Sequence, residues 1–274
     1  MQGKLNSVFT RERERGSRAL VGFASACCPD AEQSLDFMLG MVEGGVDILE
    51  IGVPFSDPMA DGPTIQQASQ KALKGGARLD DVFAICETLS RAHPETGIVL
   101  FSYYNPIFHM GTDRFAERAA SAGADGVLAV DVPYEERGEI MPSLASHGLD
   151  LVPLVSPATP EDRAARIADG VAGFIYYIMF RGVTGVREAV PADLAEKIAA
   201  VRRVSALPVA AGFGVSSPEM ARAVADVADG VVIGSAFVKM QLDDALAADD
   251  RRARACRLAA ACKAAIRGCA RAAT

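Results

Sequence analysis

Short runs of apolar residues alternate with longer segments of helical periodicity along this chain. The apolar runs are nearly continuous, which is typical of strands covered on both faces in a parallel sheet. Eight runs are predicted to be strands: Leu20–Ser25, Val46–Val53, Gly97–Tyr103, Gly126–Val132, Asp150–Val155, Gly173–Met179, Pro208–Phe213 and Gly230–Ser235. The helical patterns between them include Glu32–Glu43, Thr112–Ala122, Glu135–Ser146, Pro191–Val204 and Pro218–Val227.

Regular alternation of strands and helices predicts an α/β fold, and eight units favour a closed (β/α)₈ barrel, the TIM barrel. An open doubly wound sheet is the alternative, but the glycine fingerprint that follows its first strand is missing. Three further helices are predicted: one near Leu5–Arg15, one at Asp80–Ala92 between the second helix and the third strand, and one from about Phe237. No linker divides the chain, so residues 1–274 are predicted to form a single domain.

Composition restricts the possible partners. The net charge of −7 argues against a general affinity for nucleic acid or an anionic membrane. The polar N-terminal segment has no signal-peptide core, which predicts a cytoplasmic protein. The cysteines form no CxxC pair and the histidines are scattered, so no metal site is expected. The basic residues from Arg251 onwards are expected on a solvated face of the last helix.

Glu50 is a charged residue inside the apolar run Val46–Val53. It shares a face with Val46 and Ile48, so we expect its side chain to project into the barrel mouth, where barrel enzymes carry their catalytic groups. Burial would raise its pKa and suit it to general acid/base work. A buried carboxylate satisfied by local donors is an equally simple interpretation. Asp131, at the end of another run, more simply orders the following turn.

The loop after the second strand contains three prolines, which stiffen its backbone. It carries Asp57 and Asp61, and Asp61 can return over Glu50. Two carboxyl groups facing one pocket would suit acid/base chemistry. A rigid structural turn, with Asp61 helping to cap the next helix, is the alternative.

Three later strand ends carry glycine-rich loops that suit phosphate binding, because glycine lets the backbone approach an anion and a helix N-terminus attracts it. These loops are Gly182–Gly185, Gly212–Ser217 and Gly234–Ala236.

The segment from Leu49 to Gln66, LEIGVPFSDPMADGPTIQ, resembles the signature of tryptophan synthase alpha subunits almost residue for residue. Asn105-Pro106, Asp131-Val132-Pro133 and the three glycine loops extend the resemblance over most of the chain. It implies a retro-aldol lyase that cleaves indole-3-glycerol phosphate into indole and glyceraldehyde 3-phosphate without a cofactor.

The resemblance also implies roles for individual residues. Glu50 would be the catalytic acid/base, and Asp61 would hold the indole N–H. Tyr176 and Thr184 would support the catalytic carboxylate or the closing loop. The apolar walls around the indole would be Phe23, Leu128 and Phe213. The phosphate would be bound by the backbone N–H groups of Gly185, Gly214, Gly234 and Ser235.

The partner implied by the resemblance is a pyridoxal-phosphate-dependent beta subunit, in an α₂β₂ complex, with Asp57 and Pro58 on the contact surface. Two segments depart from the family pattern, Ser25–Pro29 after the first strand and Met179–Gly182 in the sixth loop. These departures leave open a second function, that of a non-catalytic or altered-substrate subunit that activates a beta partner.

Overall fold

The computed structural model describes residues 3–179, 190–212 and 214–269. Parallel strand segments form one sheet in the spatial order β5–β4–β3–β2–β1–β9–β8–β7–β6. Their bounds are β1 Ala19–Ser25, β2 Ile48–Gly52, β3 Gly97–Ser102, β4 Gly126–Ala129, β5 Asp150–Leu151, β6 Leu154–Val155, β7 Ile175–Ile178, β8 Val209–Gly212 and β9 Gly230–Ile233.

The two outer segments of this order, β5 and β6, are halves of the fifth predicted strand. Val152 N–H donates to the Val127 carbonyl at 2.9 Å on one side, and the Pro153 carbonyl accepts from Tyr176 N–H at 3.0 Å on the other. The strand is interrupted because Pro153 has no N–H for a ladder. Counted as one strand, β5 and β6 close the sheet, which confirms the predicted barrel.

Helices surround the barrel, with one 3₁₀ segment at Tyr134–Glu139. Their bounds are α1 Lys4–Glu14, α2 Ala31–Glu43, α3 Pro63–Lys74, α4 Leu79–Ala92, α5 Tyr104–Met110, α6 Thr112–Ser121, α7 Met141–Ser146, α8 Glu161–Ala168, α9 Leu194–Val204, α10 Pro218–Ala225, α11 Ser235–Leu242 and α12 Ala248–Ala265. The predicted extra helices near residue 5 and before the third strand are α1 and α4.

Two helix predictions are wrong in their continuity. The stretch Glu135–Ser146 is a 3₁₀ segment followed by α7, because Pro142 is tolerated only in the first turn of a new helix. The helix predicted from about Phe237 is two helices. It breaks at Asp243, which has extended backbone angles and whose carbonyl accepts two bonds from the Arg251 guanidinium at 3.1 and 3.2 Å.

The barrel interior is closed at its N-terminal end by α1. Leu5, Val8 and Phe9 are buried in the same cluster as the inward-facing strand residues. The ring of Phe9 lies 5.2 Å from that of Phe174. Because this end is plugged, the cavity of the barrel opens only towards the C-terminal ends of the strands in the described part of the chain.

Helix α12 packs closely on α2. A side chain at Gly40 or Gly44 would come within 2.8 or 2.4 Å of a backbone carbonyl of α12, so glycine permits the contact. The prediction of a solvated basic face is wrong for part of α12: Lys263 is buried and binds Glu12 Oε2 at 2.7 Å and Asp47 Oδ2 at 2.6 Å. These bonds join both terminal helices to the segment that enters β2.

Among the helices that the structure describes, none combines the length and the apolar character needed to cross a membrane.

Candidate functional site

A cavity of about 300 Å³ lies at the C-terminal ends of the strands, where the sequence predicted the chemistry. It brings together Glu50, Asp61 and residues of the two glycine loops that the structure describes. Its lining is Phe23, Glu50, Ala60, Asp61, Ile65, Phe101, Val130, Leu154, Tyr176, Ile178, Gly214, Gly234 and Ser235.

Glu50 is the central residue of β2, paired in register with Phe23 of β1 and Val99 of β3. It is 1% exposed, and Oε1 has no hydrogen-bond partner among the described residues. Burial raises the pKa of this carboxyl group to about 8. Glu50 therefore carries a proton at neutral pH and can release it into the cavity.

Asp61 reaches the same cavity from the loop between β2 and α3. The loop folds back because Asp61 N–H donates to the Pro58 carbonyl at 3.1 Å, while the Asp61 carbonyl accepts from Gln66 Nε2 at 2.8 Å. The side chain is buried, which raises its pKa to about 6, and a hydrogen bond from Tyr103 opposes that rise. Asp61 is therefore mostly ionised at neutral pH.

Tyr103 lies directly behind Asp61, and the sequence did not single it out. Its hydroxyl donates to Asp61 Oδ2 at 3.1 Å and accepts from Ala60 N–H at 2.9 Å. Its ring packs against Phe55 at 5.1 Å between centroids. A tyrosine at a strand end resembles any core aromatic residue in sequence, so only the fold identifies this contact.

The cavity walls are aromatic and aliphatic. Phe23 meets Phe101 edge to face at 5.2 Å between centroids, which forms a wall suited to a flat apolar ring. Leu128, predicted to be a wall residue, is fully buried in the inner cluster and is not in the lining. Val130 lines the cavity just beyond the end of the same strand, because side chains two residues apart share a face.

Tyr176 of β7 also lines the cavity. It is 6% exposed, and its pKa is raised well above its ordinary value, chiefly by burial and then by the charges of Glu50 and Asp61. Its hydroxyl therefore stays protonated beside the two carboxyl groups. The predicted role of Tyr176 in supporting the catalytic carboxylate stays a prediction.

The far end of the cavity is formed by backbone suited to an anion. Gly214 has φ +95°, a conformation that favours glycine, and Gly234 is the N-cap of α11. Ser235 begins α11, so the free N–H groups of that helix face the cavity end. The other predicted residues of this region, Thr184, Gly185 and Phe213, lie outside the described residues.

Gln241 fixes α11 against the segment after β1 that departs from the family pattern. Its buried amide accepts from Ser25 N–H at 3.0 Å and donates to the carbonyls of Ser25 at 3.0 Å and Cys28 at 3.2 Å. The segment Ser25–Pro29 therefore helps to position α11, whose N-terminus forms the end of the cavity suited to an anion.

Two other predicted residues have different surroundings. Asp131 Oδ1 accepts from Tyr104 N–H at 2.7 Å, in agreement with a turn-ordering role. Asp57 is exposed, whereas Pro58, predicted beside it on a partner surface, is buried. Among the described residues at this end, Met59 and Phe108 are large exposed apolar residues, at 79% and 67%.

This arrangement combines a protonated carboxyl group, an ionised one, a flat apolar pocket and a helix N-terminus for an anion. It can protonate a carbon of an aromatic ring while the second carboxylate accepts a hydrogen bond from that ring.

Comparison with known proteins gives one consistent result. The family model described as tryptophan synthase alpha chain matches residues 9–267. The tryptophan synthase alpha chain of Geobacter sp. (strain M21) is 48% identical over 238 residues, covering 86% of this chain and 88% of the relative. That of Chromobacterium violaceum is 46% identical over 252 residues, covering 92% and 95%. A structure of Mycobacterium tuberculosis tryptophan synthase superposes with a TM-score of 0.89 at 35% identity, covering 97% of this chain and 99% of that one.

Proposed function

The chain belongs to the tryptophan synthase alpha chain family, and from this premise we propose how its cavity cleaves indole-3-glycerol phosphate into indole and glyceraldehyde 3-phosphate. The enzyme is a carbon–carbon lyase of tryptophan biosynthesis. What remains to be assigned is the role of each residue.

Glu50 supplies and recovers the proton. The neutral carboxyl group protonates C3 of the indole ring, and the resulting carboxylate then takes the proton of the glycerol hydroxyl next to that carbon. The C3–C1′ bond breaks, its electron pair restores the aromatic ring, and the former hydroxyl carbon becomes the aldehyde. A pKa near 8 suits both halves of this exchange.

Asp61 holds the ring while charge develops on it. Protonation at C3 places positive charge on the indole nitrogen, and an ionised carboxylate accepting its N–H stabilises that charge. Tyr103 holds Oδ2 of Asp61, which leaves Oδ1 for the ring nitrogen. The phosphate lies at the N-terminus of α11, on the backbone around Gly214, Gly234 and Ser235, with Gly185 as a further proposed contact. Phe213 stays a proposed wall residue for the indole, and Thr184 a proposed support for the catalytic carboxylate or the closing loop.

The observation that carries this assignment is the buried, unpaired carboxyl group of Glu50 in the same cavity as Asp61. We test it by following indole release from indole-3-glycerol phosphate by the purified chain, with and without a beta chain. Glu50→Gln should lower turnover at least ~10²-fold, whereas Glu117→Gln, on the exposed face of α6, should not change it.

The outcome separates the two functions that the sequence left open. Asp61→Asn should also lower turnover severely, with binding of glycerol phosphate retained. If Glu50→Gln keeps full turnover, the assigned chemistry is wrong. If instead the wild-type chain releases no indole with or without the beta chain, the chain acts only as an activator of its partner.

The partner of the chain is the beta chain of tryptophan synthase. We propose that the beta chain contacts an apolar surface formed by Met59 and Phe108 together with the exposed Asp57. The loop that carries Asp57 and Met59 and the helix α5 that carries Phe108 follow β2 and β3, at the C-terminal end of the barrel, so indole leaving the cavity would enter the partner there. The pyridoxal phosphate of the beta chain, the α₂β₂ composition and the cytoplasmic location stay predictions.

This contact is tested by sedimentation with purified beta chain. Met59→Ser should weaken association, because it removes exposed apolar area from the interface. The matched control is Leu73→Ser, which also replaces an exposed apolar residue but lies away from the proposed contact, on α3. If both variants associate with the beta chain equally well, Met59 is not part of the interface.

A further inference from the structure

A second cavity, of about 440 Å³, lies at the opposite end of the barrel. Arg18 precedes β1 and Asp229 precedes β9, so it opens at the N-terminal ends of these parallel strands. A strand of the length of β1 spans roughly 20 Å, which separates this cavity from the active site. Three arginines line it: Arg13 of α1, Arg202 of α9, and Arg18 just before β1.

Arg18 is a buried cation that has no counter-charge among the described residues. It is 6% exposed, and within the described part of the chain its guanidinium donates to two backbone carbonyls, those of Ala225 and Ser17, each at 3.3 Å. It forms no ion pair with a carboxylate in the part of the chain that the structure describes. A buried charge left in this state is unfavourable, and an anion in the cavity would relieve it.

Arg202 supplies a second unsatisfied group on the same cavity. Its Nη2 binds Asp229 Oδ1 at 3.0 Å, but its Nε is buried and has no acceptor among residues 3–179, 190–212 and 214–269. Asp229 is already engaged, because its other oxygen accepts from Val209 N–H at 3.0 Å. The unused Nε donor of Arg202 and the unpaired charge of Arg18 together indicate that the cavity binds an anion.

The charge and shape of the cavity define the ligand. Three guanidinium groups face one carboxylate, an excess of two positive charges in a chain whose net charge is −7. This excess matches a dianion, and guanidinium donors fit the oxygens of phosphate. Phe9 and Leu207 add apolar wall that would contact an organic body. We propose that this cavity binds a small phosphate monoester, at a site distinct from the active site.

The test uses inorganic phosphate as the probe and titration calorimetry on the full chain. The wild type should bind two phosphate ions, one at each end of the barrel. Ser235→Asp should remove the active-site ion by placing a carboxylate at the start of α11. In that background, Arg202→Gln and Arg13→Gln should each weaken the remaining site at least tenfold.

Arg114→Gln is the matched control, since Arg114 is exposed on α6 and forms no ion pair with a described residue. Arg13 is also exposed and forms no ion pair with a described residue, so its substitution keeps the test valid if Arg202→Gln unfolds the chain. Thermal unfolding checks each variant. Benzoate, a monoanion, should bind at least tenfold more weakly than phosphate.

The proposal is overturned if the Ser235→Asp variant binds no phosphate, if both arginine variants bind it as well as Arg114→Gln does, or if benzoate binds equally well. If Ser235→Asp still binds two ions, the phosphate end of the active site is misassigned. The arginine site is then judged by whether Arg13→Gln loses one of them.

Discussion

The hydroxyl of Tyr103 joins the side chain of Asp61 to the backbone of its own loop, at 3.1 Å from Oδ2 of Asp61 and 2.9 Å from the nitrogen of Ala60. One oxygen of the carboxylate is thus fixed from behind, and its charge is partly stabilised before substrate arrives.

Tyr103→Phe removes the hydroxyl and keeps the ring that packs on Phe55. The pKa of Asp61 should rise further above 6, because the hydrogen bond from Tyr103 lowers it in the wild type and is lost in the variant. Turnover at neutral pH should fall roughly tenfold, the scale of a hydrogen bond to a charged group, and the acid limb of the pH profile should move to higher pH. Tyr104→Phe is the control, since the Tyr104 hydroxyl bonds to no described residue; an unmoved acid limb in Tyr103→Phe would contradict the positioning role.

The dependence of kcat/KM on pH should be bell-shaped. Activity needs ionised Asp61, whose pKa is about 6, and protonated Glu50, whose pKa is about 8. Rates should therefore rise through the lower value and fall through the higher one. A profile that keeps rising above pH 9, measured by indole release, would exclude Glu50 as the proton donor.

The free energy of unfolding should fall as pH rises from 4.5 to about 8, the two pKa values of Glu50 in the unfolded and folded chain. The folded-state pKa is about 8 against an ordinary 4.5, so the folded chain retains a proton that the unfolded chain loses between these values. The stabilisation is complete below pH 4.5 and is lost as pH rises through 8. Glu50→Gln should therefore gain stability over wild type between pH 5 and pH 9 in urea unfolding. The difference between Glu117→Gln and wild type should stay constant, and an equally constant difference for Glu50→Gln would contradict a raised pKa.

Lys263→Met should destabilise the fold without changing the active site. It leaves the buried carboxylates Glu12 and Asp47 without their shared ammonium group. Breaking such a cluster from one side costs about 3–5 kcal/mol, which thermal unfolding can measure. Lys239→Met, at an exposed position of α11, should have little effect; equal effects of the two variants would show that the cluster contributes nothing specific.

Much of the fold was predictable because its signals are local. Continuous apolar runs identify strands buried on both faces, and a charge inside such a run, Glu50, identifies an inward-facing functional group. The same logic failed where the signal was a backbone property: Pro153 interrupts the fifth strand, and Pro142 restarts a helix, within segments whose apolar pattern is continuous.

The contacts that complete the site were not predictable, because they join distant parts of the chain. Tyr103 and Asp61 are 42 residues apart, and nothing in either sequence neighbourhood indicates the other. Leu128 of β4 and Val130 just beyond its end point to the same side, and only the depth of the cavity decides which of them lines it. The burial of Lys263 likewise depends on acids 216 and 251 residues away.

The ammonium group of Lys263 also bears on how the chain is synthesised. The ribosome completes every strand of the barrel before it reaches Lys263, while Glu12 and Asp47 are made near the beginning. Until α12 emerges, packing α1 against the start of β2 would bury two acids with no cation shared between them, which opposes that step. Final docking of α1 thus depends on the synthesis of α12, and a nascent chain halted before α12 would carry its strands without a sealed base.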